Sequence, residues 1–212
     1  MKREAPAATR NSPAIVAALE PLLRDRQGDV LEIGSGTGQH AVALATALPT
    51  LQWWPTDPDP AQLASIEAWR ADAAVGNIAA PLALDAAAEP WPLGSPGWPA
   101  TGLLAIYSAN VVHITPRAVM RGLFAGAGRQ LRAGGLLLLY GPFRWSGAHR
   151  AESNAAFDAE LRRRDPEWGV RDVDELDALA AAAGLARHDT IPMPANNHVL
   201  VYERRGGKRD AP

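Results

Sequence analysis

A glycine-rich turn carries the clearest chemistry in this sequence. The run Glu32-Ile33-Gly34-Ser35-Gly36-Thr37-Gly38 follows a short apolar stretch typical of a strand and precedes a stretch typical of a helix. In that setting such a turn is typical of cofactor binding, because glycine allows positive φ and lets a ligand approach the backbone. We predict a cofactor against Gly34, Ser35, Gly36 and Gly38; a bare strand-to-helix turn is the disfavoured alternative.

Two kinds of nucleotide loop fit this turn poorly. A phosphate-binding loop ends in Gly-Lys-Ser/Thr, but Gln39 and His40 occupy those positions. A dinucleotide turn has glycine at its first, third and sixth positions, and the sixth position counted from Gly34 is Gln39. The acidic Glu32 repels phosphate but attracts an α-amino group. The residues therefore favour a nucleoside that bears an amino acid, with an NAD-dependent oxidoreductase as the weaker alternative.

An acidic residue follows the second predicted strand. Asp57 lies 19 residues beyond Gly38, where a carboxylate can accept hydrogen bonds from both ribose hydroxyls of a cofactor. The alternative is that Asp57 caps the next helix. Asp59 is better placed for capping, so we predict that Asp57 binds the cofactor.

Further residues that could do chemistry lie after the fourth predicted strand and in the polar segment 141–171. His113 lies three residues beyond Asn110, and an imidazole there can take a proton from an oxygen or nitrogen atom near neutral pH. The alternative is a histidine that only shapes the loop. Arg144 is a candidate for holding an anionic substrate, or else an exposed surface arginine. The other polar candidates are a catalytic Tyr140, the substrate-binding residues Asn11, Asn154 and Asn196, and also Asn197 and Arg10.

Strand-like and helix-like stretches alternate along the chain, which is typical of a parallel sheet with crossover helices. The predicted strands are 29–33, 51–56, 78–84, 103–109, 136–140, 185–191 and 198–203, and the predicted helices are 12–24, 39–48, 60–74, 116–131, 153–164 and 173–183. Only a short turn joins the last two strands, so they must be antiparallel. We predict an α/β fold with one doubly wound seven-stranded sheet, mostly parallel with a reversed last strand. Ligands bind beyond the carboxyl ends of such strands.

Length and composition indicate one globular domain. The chain has 212 residues, of which 47% are apolar and 21% charged, and its net charge is −2. We expect one domain over 1–205, with a cover and helix at 1–28, an acceptor lid at 141–171 and a disordered tail at 206–212. The charge gives no reason to expect nucleic acid or a membrane surface as partner.

The absence of certain residue types excludes several classes of site. There is no cysteine, which excludes disulfides and thiolate chemistry, and no His, Asp or Glu spacing predicts a metal. The start has no apolar leader and no stretch is long enough to span a membrane, so a cytoplasmic location is expected. Two lysines stand beside nineteen arginines, a bias that we interpret as bacterial.

The glycine-rich turn resembles motif I of class I S-adenosylmethionine-dependent methyltransferases, and the strand count resembles their fold. More closely, the chain resembles a bacterial methyltransferase-like family known as domain of unknown function 938. The resemblance is carried by 5–6 with 10–11, 31–40, 56–60, 84–85, Asn110 with His113-Ile114, Leu139-Tyr140-Gly141-Pro142-Phe143, Ser153-Asn154 with Phe157-Asp158, and Met193-Pro194-Ala195-Asn196-Asn197. Together these stretches cover nearly the whole chain.

The resemblance implies S-adenosyl-L-methionine as cofactor and methyl transfer to an O or N atom of a small molecule. It also implies that Asp85 binds the adenine amino group and that Asn110 and Glu32 act on the amino-acid end of the cofactor. A binding module that keeps the cofactor but has lost the acceptor chemistry is the alternative.

Overall fold

Seven strands form one sheet with helices on both faces, in a computed structural model that describes residues 1–206. The elements are α1 (Pro6–Leu23), β1 (Gly28–Ile33), α2 (Gln39–Ala47), β2 (Leu51–Asp57), α3 (Pro60–Asp72), β3 (Leu82–Ala83), β4 (Leu103–Ala109), α4 (Arg117–Gln130), β5 (Leu131–Gly141), β6 (Arg144–Trp145), β7 (Ala148–His149), α5 (Glu152–Arg164), α6 (Val173–Ala182), β8 (Leu185–Met193) and β9 (Asn197–Arg204). Strands β6 and β7 form a separate small hairpin.

The strand order of the sheet is β3-β2-β1-β4-β5-β9-β8. Strands β1 to β5 pair in parallel, whereas β9 runs antiparallel to both β5 and β8. This topology confirms the predicted doubly wound sheet and its reversed last strand. The chain moves outward from β1 in one direction and then in the other, so a crevice forms between the carboxyl ends of β1 and β4.

The apolar strands divide the core into two layers, because successive side chains point to opposite faces of a strand. Leu137 and Leu139 of β5 join a cluster with Phe124 of α4 on one face. Leu138 joins a second cluster with Leu19 of α1 on the other face. A central strand that is buried on both faces does not alternate apolar with polar residues, and the four consecutive leucines 136–139 of β5 fit this rule.

Three element boundaries differ clearly from the prediction. The fifth strand was predicted over 136–140, but β5 begins at Leu131, which pairs with Leu103 of β4 across a register shift. The third strand was predicted over 78–84, but β3 contains only Leu82–Ala83, with a single further bridge between Ile78 and Trp53. Pro81 precedes β3 and has no N–H to donate, which limits the ladder. The first helix begins at Pro6 and not at residue 12, because tertiary hydrogen bonds hold its first turn, as described below.

No helix among residues 1–206 is long and apolar enough to cross a membrane. Of the predicted tail 206–212, only Gly206 lies within the described residues.

Candidate active site

A cavity of about 360 Å³ lies where the crevice was expected, at the carboxyl ends of β1, β2 and β4. Ala5, Ala7 and Ala8 of the N-terminal segment close it from above. Of the residues predicted for the site, those that line it are Asn11, Gly34, Ser35, Gly36, Asp57, Asp85 and Asn110. The predicted residues outside the lining are Glu32, Gly38, His113, Tyr140, Arg144, Asn154 and Asn196.

The glycines of the turn have different tasks. Gly36 has φ +56°, and a Cβ there would meet no atom within 4 Å, so its backbone stands open to the cavity. Gly38 has φ +96°, and a Cβ there would lie 2.8 Å from the Cα of Ile66. Gly38 therefore lets the start of α2 approach α3, while Gly36 leaves room for a ligand.

Asp57 is the best-placed polar group in the cavity. It is 7% exposed, and each of its oxygens accepts one backbone hydrogen bond at 3.0 Å, from Gly36 N and from Asp59 N. Burial raises its pKa. A carboxylate has about four lone-pair positions, so Asp57 keeps two free for other donors. The capping role belongs to Asp59, whose side chain accepts from Ala61 N at 2.8 Å.

Glu32 lies beneath the turn and not in the cavity lining. It is 2% exposed, and Trp53 Nε1 donates to its Oε2 at 2.6 Å. Burial raises its pKa to about 7. Its backbone oxygen accepts from the Thr56 hydroxyl at 2.7 Å. These contacts place Glu32 where it orders the turn, and its action on the cofactor stays a prediction.

Asp85 lines the far end of the cavity, between Leu84 and Ala86. Its Oδ1 accepts from Ala87 N at 2.9 Å, which fixes the side chain and leaves its other oxygen available. Leu84 and Ala86 are both buried and supply apolar surface beside the carboxylate. This combination suits a flat heterocycle with an exocyclic amino group, and the adenine role of Asp85 stays a prediction.

His113 is fully buried, with 0% exposure, and packs against Phe143 at 5.1 Å between ring centres. Burial, followed by the charge of Arg171, lowers its pKa to about 3. Its Nδ1 accepts from Arg171 N at 3.3 Å, and a hydrogen bond with the Gly169 backbone acts in the opposite direction on the pKa. No partner for Nε2 is found among the described residues. The base role of His113 stays a prediction.

The remaining acceptor candidates lie around the end of β5. Arg10 and Asn197 both lower the pKa of Tyr140, although burial raises it overall. Asn154 Nδ2 donates to the backbone oxygen of Asn196 at 3.0 Å, which ties α5 to the turn between β8 and β9. Arg144 begins the β6–β7 hairpin, and its Nε is buried without a partner in the described chain. Contact of these residues with a substrate stays a prediction.

The sequence reasoning missed how the N-terminal segment is held. Gln39 Oε1 accepts from Ala5 N, and its Nε2 donates to the Thr9 hydroxyl, both at 2.7 Å. His40 lines the cavity and shares a 2.9 Å hydrogen bond with the Ser12 hydroxyl. The available signal was Pro6, because proline is common at the first position of a helix. In the sequence, Gln39 was noted only because it stands where a dinucleotide turn has its third glycine. In the structure its two hydrogen bonds hold the N-terminal segment over the cavity.

This protein is similar to several solved structures. It matches an O-methyltransferase family 2 protein from Planctomyces limnophilus, solved with apigenin, at TM-score 0.78 and 22% identity, over 93% of this chain and 58% of that one. It matches NcsB1, an O-methyltransferase from neocarzinostatin biosynthesis solved with S-adenosylmethionine and 2-hydroxy-5-methyl naphthoic acid, at TM-score 0.72 and 18% identity, over 93% and 54% of the two chains. The YcgJ protein from Bacillus matches at TM-score 0.69 and 16% identity, over 91% and 98%.

The first of these matches are longer proteins, of which this chain spans a little over half. At these identities the likeness shows a shared fold, the Rossmann-like fold of the methyltransferases. A sequence model decides the family: the model described as "Protein of unknown function (DUF938)" matches residues 2–204. That match confirms the resemblance found in the sequence, and the protein belongs to the DUF938 family.

Proposed function

We propose that the protein is an S-adenosylmethionine-dependent methyltransferase that acts on an oxygen or nitrogen atom of a small molecule. The observation that carries the proposal is Asp57, which faces the cavity beside Gly36 with two lone-pair positions free. Paired ribose hydroxyls are donors that fit this carboxylate. Two solved structures of the same fold support the proposal, because their names describe them as O-methyltransferases.

Different residues of the cavity would bind different parts of the cofactor. Asp57 would hold the ribose and Asp85 the adenine, while Gly36 and Asn110 would border the amino-acid end. When bound, S-adenosylmethionine supplies a methyl group on a sulfonium centre. The protein then has to align the acceptor at roughly 3 Å and to exclude water. The N-terminal cover serves the second task, because it closes the cavity at Ala5 and Ala8.

In this proposal His113 acts by position. Its Nδ1 is occupied by Arg171 N and its backbone oxygen accepts from Gly169 N at 2.9 Å, so the ring and the loop are held together. An acceptor that already carries a free lone pair needs no base. A binding module without activity is the competing function, and transfer of a labelled methyl group distinguishes the two.

Calorimetry with S-adenosylmethionine and its demethylated product tests the proposal. Both should bind, whereas NAD and ATP should not. Asp57→Ala should weaken binding by about 2–4 kcal/mol, the value of two hydrogen bonds to a charged acceptor. The matched control is Asp59→Asn, which keeps a capping side chain and should leave the affinity unchanged. Tight binding of NAD without a response to S-adenosylmethionine would overturn the proposal.

A further inference from the structure

The carboxyl end of β5 borders the cofactor cavity. Asn110 lines the cavity, and its backbone N–H donates to the carbonyl oxygen of Tyr140 at 2.8 Å. A Cβ added to Gly141 would lie 3.2 Å from Asn110 Oδ1. Arg10 directly precedes the cavity-lining Asn11, and its positive charge lowers the pKa of Tyr140. The edge at the end of β5 therefore lies next to the cavity.

Three arginines at this edge have no carboxylate partner. Within residues 1–206, no ion pair is formed by Arg10, Arg144 or Arg150. The lack of pairing is local, because the chain as a whole has a net charge of −2. Asp158 lies close enough for the charge of Arg144 to lower its pKa, so the protein offsets only part of the positive charge at this edge.

The acids near the hairpin are already engaged. Asp158 Oδ1 accepts from Arg162 Nε at 3.1 Å and from Val170 N at 2.7 Å, and its Oδ2 lies 3.3 Å from His149 Nε2. Asp172 caps α6 and accepts from Gly147 N at 2.6 Å. Ser146 donates to Asp174 at 3.1 Å. These contacts leave the hairpin arginines available to an outside anion.

Arg150 is held in position by an aromatic ring. Its guanidinium lies over Trp145, 3.9 Å from the ring centre. Trp145 in turn contacts His198 with 4.6 Å between ring centres, and His198 lies opposite Gly141 in the β5–β9 register. A guanidinium stacked on an aromatic face keeps its N–H groups free for bidentate contact with a carboxylate or phosphate.

Buried nitrogen atoms without partners give the second indication. Arg144 Nε and His198 Nδ1 are both buried and form no hydrogen bond within the described part of the chain. The Arg144 atom is a donor in every protonation state. Leaving such a donor unpaired is costly, so an acceptor atom from outside the chain would satisfy it.

We infer that the molecule methylated by this protein carries an anionic group, a carboxylate or a phosphate, that binds at the edge formed by Arg10, Arg144, Arg150 and His198. Arg144, Arg150 and His198 provide the direct contacts, and Arg10 adds positive potential that attracts the anion. The inference names the substrate class and so rests on the proposed function for its meaning. The anion site itself is testable without the cofactor.

The test uses the full chain and follows the indole N–H signal of Trp145 by nuclear magnetic resonance, identified by its loss in Trp145→Phe. Benzoate, inorganic phosphate and benzamide are titrated separately at low ionic strength, up to about 50 mM. Benzoate or phosphate should shift the signal saturably, and the stronger of the two identifies the preferred group. Benzamide has the shape of benzoate without its charge and should leave the signal in place.

Variants connect the signal to the arginines. Arg150→Met should weaken anion binding by about tenfold or more, whereas Arg121→Met, an exposed arginine on α4, should bind as the unchanged protein does. An equal response to benzamide, no shift with either anion, or an unaffected Arg150→Met would overturn the inference. Failure of S-adenosylmethionine to bind in calorimetry would instead overturn the proposed function, and the two failures are distinguishable.

Discussion

The buried carboxyl of Glu32 should make the stability of the fold depend on pH in an unusual direction. Burial raises its pKa to about 7, against 4.5 for the unperturbed group, and hydrogen bonds from Trp53 and Ser35 offset only part of this rise. Between these two values the folded protein holds a proton that the unfolded chain releases. The unfolded state therefore gains stability as the pH rises.

The magnitude follows from the difference between the two pKa values. A difference of one unit corresponds to about 1.4 kcal/mol, so Glu32 should cost about 3 kcal/mol at neutral pH. The cost is absent below the unfolded pKa near 4.5, grows between 4.5 and 7, and is constant above 7. Glu32→Gln removes this cost, because an amide does not ionise and its oxygen can still accept from Trp53 Nε1.

Urea unfolding of the two proteins from pH 5 to pH 8 measures the effect. The difference in free energy of unfolding should move in favour of Glu32→Gln as the pH rises, by about 2–3 kcal/mol between pH 5 and pH 8. Titrating groups that do not interact with Glu32 cancel in the difference. Glu4→Gln is the matched control, because Glu4 is exposed and its difference should stay flat. A flat difference for Glu32 as well would refute the reasoning.

Three other substitutions test the geometry of the site. Gly38→Ala should lower the free energy of unfolding by about 2–4 kcal/mol, because its Cβ would meet Ile66. Gly36→Ala should lower it by only about 1–2 kcal/mol. Equal losses in urea unfolding would contradict a packing role for Gly38 and an open position for Gly36. If His113 acts by position, with its pKa near 3, the methylation rates of the unchanged protein and of His113→Gln should have the same pH dependence through about pH 6.5; a step present only in the unchanged protein would restore the base role. Gln39→Leu removes two hydrogen bonds to the cover and should speed dissociation of the demethylated cofactor about tenfold in stopped flow; an unchanged rate would show that the cover does not retain the cofactor.

Regular periodicity made most of the fold predictable from the sequence. The fourth strand was predicted at its observed bounds, and the reversal of β9 followed from the short turn before it. The errors occur where tertiary contacts outweigh local signals. Pro13 suggested a helix start, yet α1 begins at Pro6, because Gln39 of another element bonds its first turn. A contact across 34 residues leaves no periodic pattern in the sequence.

The two halves of the site differ in how far the sequence predicts them, and the topology gives the reason. Strands β1 and β2 are neighbours in register, with Ile33 opposite Thr56, so the residues that follow them must meet. The hydrogen bond from Gly36 N to Asp57 is therefore a consequence of sheet pairing. The positions of the glycine-rich turn and of Asp57 after neighbouring strands were enough to predict that they lie together, whereas Asp85 and Asn110 were assigned from the family resemblance. The acceptor side combines α1, the β6–β7 hairpin and the turn before β9, which no regular pairing brings together. Arg150 stacks on Trp145 of β6, which in turn contacts His198 of β9, and strands β6 and β9 are not paired with each other. The sequence alone named Arg144 as a candidate for holding an anion, but the grouping of Arg144, Arg150 and His198 in the proposed anion site becomes visible only in the folded protein.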